Sequence, residues 1–213
     1  MARENPGGVG CIRLWLSLTG ELSDQIMAES RPEFSIGLAS LLKESAQGRA
    51  LPPVEHWNPA HCGDIDIRIA RDGTWYHLGR PILRHHIVRL FSTILRKEAD
   101  GYHLVTPVEK LRIKVEDAPF VAVLLRCEGA GLSQRLVFTT NVGDEVELDA
   151  AHLLRVVINP NSGEPSPYVH VRGGLEAKLS RAVFYQLVEL AETDAHGVLG
   201  VKSNGHYFVL GQG

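Results

Sequence analysis

Ile65, Ile67 and Ile69 alternate with Asp66, Arg68 and Ala70. That two-residue period constrains the chain more than any other feature, because only an extended strand with one buried and one wet face satisfies it. Asp72-Gly73 follows as a hairpin turn, and Trp75 to Leu78 returns as the partner strand. The period then changes. Pro81 suits the first turn of a helix, and Ile87, Leu90, Phe91, Ile94 and Leu95 form one apolar stripe at spacings of three and four. Arg96 and Lys97 fall near the end of that helix, and Gly101 is placed to terminate it before a strand over Tyr102 to Thr106.

The same order recurs later. Val156 to Ile158 reads as a strand, Asn159 to Pro167 as a polar loop, and Tyr168 to Val171 as the next strand. Gly173-Gly174 then leads into a second amphipathic helix with Leu179, Val183, Leu187 and Leu190 as its stripe, and Asn204 to Val209 echoes Asp100 to Val105. Between the two units lie more strands. Leu111, Ile113 and Val115 alternate with Lys110, Arg112 and Lys114; Val121 to Leu125 reads as a buried run; Leu136 to Thr139 and Glu145 to Leu148 flank a turn at Asn141 to Asp144. So many consecutive strands before a closing helix predict a strongly bent sheet or partial barrel. The fold class is α+β, with two related lobes that each combine an antiparallel sheet with one amphipathic helix.

The chain divides accordingly into 1–50, an extension with a short helix over Pro32 to Ala46 and a linker; 51–108, the first lobe; and 109–213, the second, barrel-like lobe. Met1 to Gln25 is read as lying outside the fold, with Met27 as an alternative start. The net charge of −3 and pI near 6.4 give no electrostatic reason to expect nucleic acid or an anionic membrane as a partner. Ala118 to Leu125 falls far short of the roughly 20 apolar residues that span a bilayer. Cys11, Cys62 and Cys127 are too few and too scattered for a disulfide framework, so a reducing, cytoplasmic setting is expected.

Several segments resemble a bacterial family known as a domain of unknown function, number twelve-eighty-five in that series. They are Trp57-Asn58-Pro59, Cys62 to Asp66, Asp72 to Trp75, Leu104 to Lys110, Val115 to Phe120, Thr140 to Asp144, and Pro167-Tyr168 through Arg172 to Ala177. Arg80 before Pro81 and Leu153 after His152 depart from the family pattern. The resemblance implies two related α+β lobes, the second similar to a pleckstrin-homology barrel capped by a helix. It also implies a nucleotide-like ligand between the lobes and a role in signal transduction. It brings no catalytic residues with it.

Arg172-Gly173-Gly174-Leu175-Glu176 is the local feature closest to a site. Glycines entering a helix expose backbone N–H groups to an anion, and Arg172 can add a bidentate phosphate contact. The competing reading is that the glycines only make the turn while Glu176 satisfies the helix dipole. Glu109-Lys110 and Asn141 to Asp144 are polar clusters at strand ends that can hold a ribose or phosphate, or serve as ion pairs and turn caps. The ten histidines show no HExxH, HxH or finger spacing, so neither a metal nor a cofactor is expected. GxSxG and Walker motifs do not occur in the sequence.

The leading expectation is a small-molecule binding protein, not an enzyme, that senses a phosphorylated or nucleotide-like ligand in the cleft between the lobes. Lys110, Arg112, Asn141, Asp144, Tyr168, Arg172, Gly173 and Gly174 are the candidate ligand-binding residues. The alternatives are a hydrolase or transferase using Asp64, Asp66 or Asp144, and an adaptor that presents an edge or groove to a protein partner.

Overall fold

The structure, a computed structural model, describes residues 51–212. The extension at Met1 to Gln25, the helix at Pro32 to Ala46 and Cys11 lie outside the described residues. The chain forms two compact units, one of residues 51–68 with 75–114, the other of 69–74 with 115–212.

The first unit begins with a 3-10 turn, Val54–His56, followed by strands β1 (His61–Ile69), β2 (Trp75–His77) and β3 (Arg80–Pro81). Helix α1 (His85–Thr93) comes next, then β4 (Leu95–Glu98), β5 (Gly101–Val105) and β6 (Lys110–Val115). They form one six-stranded sheet in the order β3-β2-β1-β6-β5-β4. Ile65, Ile67 and Ile69 are buried as their period demands, and Ile87, Leu90 and Phe91 of α1 join the same core. Phe91 stacks on Trp75 with ring centroids 6.1 Å apart.

Two expectations fail here. Pro81 sits in β3, and α1 ends at Thr93, so Leu95, Arg96 and Lys97 are strand residues. The hydroxyls of Ser92 and Thr93 donate back to the carbonyls of Arg89 and Leu90, while the next residues pair with β5, Leu95 opposite Leu104. Hydroxyls that compete with the helix ladder and a waiting partner strand end the helix early. Because β6 pairs inside this sheet, the sheet runs to Val115, past the 108/109 division read from the sequence.

The second unit carries β7 (Phe120–Glu128), β8 (Arg135–Thr140), β9 (Glu145–Glu147), β10 (Leu154–Ile158), β11 (Pro165–Arg172) and β12 (Leu175–Leu179). Helix α2 (Arg181–Glu189) follows, then β13 (Glu192–Thr193), β14 (Val198–Ser203) and β15 (His206–Gln212). The order β10-β11-β12-β7-β8-β9 makes a six-stranded curled half-barrel, and β13-β14-β15 is a separate small sheet. The half-barrel is antiparallel except where β12 meets β7 in parallel. Ser203, fully buried, ties the small sheet to it: its hydroxyl donates to Leu148 O at 2.6 Å and accepts from the Leu136 N–H at 3.0 Å.

Three strands, a nine-residue helix and three strands therefore occur twice, as β1 to β6 around α1 and as β10 to β15 around α2. In the second copy the strands divide between two sheets because β12 leaves to pair with β7.

Bulges supply the curl. One extra residue, Val123, interrupts β7 against β8, and the strand expected to be a buried run exposes Val123 and Leu124 there. A second extra residue, Val171, interrupts β11 against β12. Such insertions bend a strand and re-aim the side chains beyond them.

Gly173 and Gly174 do not enter a helix. Both have positive φ, 49° and 75°, and form the two-residue loop between β11 and β12, a conformation glycine adopts without strain. The second helix starts later, at Arg181, where the Ser180 hydroxyl caps it by accepting from the Val183 N–H. Leu179 belongs to β12; Val183 and Leu187 are the buried face of α2.

Candidate functional site

The candidate residues fall on three surfaces. Lys110 and Arg112 lie on β6 in the first unit. Lys110 Nζ donates to Glu98 Oε2 at 2.8 Å, and Arg112 Nε to Asp64 Oδ1 at 3.1 Å. Glu98 also accepts from Arg96. The Lys110 hydrogen bond, with that of Arg96, overcomes burial and pulls the Glu98 carboxyl from 4.5 down to about 2. Arg96 is itself buried and donates to the carbonyls of Val54 and Trp57, at 2.8 and 2.7 Å.

The other candidates belong to the second unit. Asn141 is a bracket: its Oδ1 accepts from the Val121 N–H at 3.0 Å and its Nδ2 donates to Gly73 O at 3.2 Å. A Cβ at Gly73, whose φ is +82°, would lie 2.6 Å from that Nδ2. These contacts make Asn141 a structural residue.

Tyr168 and Arg172 separate onto opposite faces of the half-barrel. Directly opposed residues share a face. Tyr168 stands opposite Lys178 and Arg155, while the bulge at Val171 places Arg172 opposite Leu175, on the face of Ala177 and Phe120. Were Val171 a regular strand position, Arg172, two residues after His170, would share the other face with Tyr168 and His170. Instead its guanidinium carbon lies 5.2 Å from the Phe120 ring centre, and its Nη1 donates to Asp144 Oδ2 at 2.5 Å. Both members of this ion pair keep about a fifth of their side chains in solvent, 22% and 23%. The Gly174 N–H, expected to meet an anion, donates to His170 Nε2 at 3.3 Å.

On the Tyr168 face a polar network runs across three strands and reaches Asp117, in the connection between β6 and β7. The Arg155 guanidinium covers the Tyr168 ring at 4.2 Å and grips Glu176 through two bonds, Nε to Oε1 at 2.6 Å and Nη2 to Oε2 at 2.7 Å. The Tyr168 hydroxyl donates to Asp117 Oδ1 at 2.8 Å, and Lys178 Nζ donates to Asp117 Oδ2 at 2.6 Å. Burial pushes the Asp117 carboxyl up, but the bonds from Lys178 and Tyr168 outweigh it and hold the group below its ordinary value. Burial, then the hydrogen bond to Asp117 and its charge, pushes the Tyr168 phenol up.

Asp117, Arg155, Glu176 and Lys178 were not among the sequence candidates. Leu175, Ala177 and Leu179 alternate with Glu176 and Lys178, and that period of two was the available signal. Glu98, Asp100 and His103 do not stand out as a group in the sequence, because the apolar stripe before them runs on at helical spacing and hides the hairpin.

Two α+β domains, mostly sheet and each with one helix, define the class of protein. Residues 52–118 match the domain of unknown function DUF1285, N-terminal domain, and residues 119–210 match the protein of unknown function DUF1285, C-terminal domain. The chain belongs to the DUF1285 family. A DUF1285 family protein from Silicibacter pomeroyi DSS-3, solved as a crystal structure, is 49% identical, with a TM-score of 0.73 over 80% of this chain and 94% of that one. Another from Shewanella baltica OS155 is 31% identical over 58% of this chain and 90% of that one, with a TM-score of 0.47. No curated protein matches the chain. Among the described residues no helix is long and apolar enough to cross a membrane.

Proposed function

We propose that this protein binds a small phosphorylated or nucleotide-like ligand without transforming it, in the sensing role that the family resemblance implies. The observation that carries this reading is the Arg172–Asp144 pair on the Phe120 face of the half-barrel. Its pairing opposite Leu175 puts the arginine there, an aromatic ring supports it, and both charges reach solvent. A guanidinium offers a planar fork to phosphate oxygens, and a carboxylate beside it accepts from a ribose hydroxyl. A catalytic reading has less support, since Asp64 and Asp144 each already accept from an arginine and neither stands open as a base.

The test is a thermal-shift series on the full chain with nucleoside mono-, di- and triphosphates and phosphorylated sugars. A ligand of the native state raises the melting temperature progressively with its concentration. The expected result is such a rise, lost in Arg172→Ala and partly kept in Arg172→Lys, which retains charge but not the fork. Absence of any shift across the series, or a full shift in Arg172→Ala, overturns the proposal.

A further inference from the structure

His103 is fully buried, and both of its ring nitrogens are without a hydrogen-bond partner. A buried imidazole normally satisfies at least one nitrogen, so this side chain calls for an explanation. The surrounding groups provide one. Its Nε2 faces Asp100 Oδ2 at 3.6 Å, and one ligand atom from each of Glu98, Asp100 and His103 lies within 4.8 Å of the others.

The β4–β5 hairpin creates this arrangement. His103 stands opposite Arg96, and Glu98 follows Arg96 by two residues, so Glu98 and His103 share a face and meet diagonally. Ala99 and Asp100 form the turn between Glu98 and Gly101, which brings a second carboxylate over the same face. Three donors thus come from six consecutive positions.

We propose that Glu98, Asp100 and His103 form a binding site for a divalent transition-metal cation. One imidazole with two carboxylates suits zinc, manganese, iron or cobalt better than magnesium or calcium, which prefer oxygen alone. The ligand atoms need to draw in only slightly. Zinc bonds of about 2.0–2.2 Å place neighbouring donors roughly 3–4 Å apart.

The charges around the site set its strength. Arg96 and Lys110 bond to Glu98 and occupy two of its roughly four lone-pair positions, so they weaken the attraction for a cation. Arg112 is held by Asp64. The His61 ring stands edge-on to His103 with centroids 5.9 Å apart, and offers a further imidazole. The site is therefore an exchangeable one, completed by water or His61, and not a closed structural cage.

The experiment is isothermal titration of the untagged, chelator-stripped full chain with zinc and cobalt salts, with magnesium as the contrast. One equivalent of zinc and of cobalt should bind, and magnesium should not. Asp100 is exposed in a turn, so Asp100→Asn leaves the fold intact. That variant should lose roughly 10–100-fold in affinity, the scale on which even outer-shell partners act. His103→Gln should do the same and should also remove the visible cobalt absorption. Surface Glu164→Gln should bind as the wild type. No binding by the wild type, or wild-type affinity in both Asp100→Asn and His103→Gln, overturns the assignment.

Discussion

Asn141→Ala removes a side chain that joins two backbone segments. The variant loses the bond from the Val121 N–H and the bond to Gly73 O. Two neutral hydrogen bonds are each worth about 0.5–1.5 kcal/mol net. The site is only half-buried, so water replaces part of what is lost, and the expected cost lies in the lower part of their sum, about 1–2 kcal/mol. With a urea dependence of about 1–3 kcal/mol/M, the unfolding midpoint should fall by about 1 M. Asn141→Asp sharpens the test, because it keeps the acceptor for Val121 but turns a carboxylate oxygen toward the Gly73 carbonyl. At neutral pH it should be no more stable than Asn141→Ala. As pH falls through the ordinary aspartate range near ~4, the protonated acid regains a donor, and the gap to wild type should narrow. A wild-type midpoint for Asn141→Ala, combined with loss of a ligand-induced thermal shift, would show that Asn141 reads ligand and that its bracket role is wrong.

Phe91→Ala should cost about 3–5 kcal/mol, read as a fall in the urea midpoint followed by tryptophan fluorescence, because it empties the space beside Trp75. The folded Glu98 carboxyl is held at about 2 against 4.5, so its stabilisation is full above 4.5 and disappears as pH falls toward 2. Glu98→Gln should accordingly flatten the stability–pH curve across that window, measured by urea unfolding at a series of pH values. Ser203→Ala strands the Leu136 N–H, and should cost about 1–3 kcal/mol while speeding amide exchange at Leu136.

Elements whose period was unbroken were legible in the sequence: β1 through its isoleucines, the Asp72-Gly73 turn, the buried stripe of α1, and the doubled order of strands around a helix. The errors arose where two periods overlap. Ile94 and Leu95 continue the stripe of α1 at helical spacing, yet cross-strand pairing with β5 claims Leu95. Leu175 to Leu179 is strictly alternating but borders a real helix, and two glycines before it mimic a helix entry. Arg172 and Asp144 were both candidates, and the structure joins them. That Tyr168 faces away from them was not legible, because a bulge is a relation between two strands and leaves no mark in one. His103 was invisible as a site for a similar reason, since its partners come from a hairpin whose first strand carries on the helical spacing of α1.

The extra residue at Val171 acts as a phase shift. Up to His170 the odd and even positions of β11 are sorted one way, and after it they are sorted the other. Deleting that single residue would restore unbroken alternation, with every backbone rung still available to β12. It would leave Arg172 opposite Leu175, on the side of Asp144, because the residue removed is the one that β12 does not pair. Pairing with β12, and not the count of residues along β11, decides which side of the sheet each side chain faces, so the unpaired residue can be removed without re-sorting those that follow it.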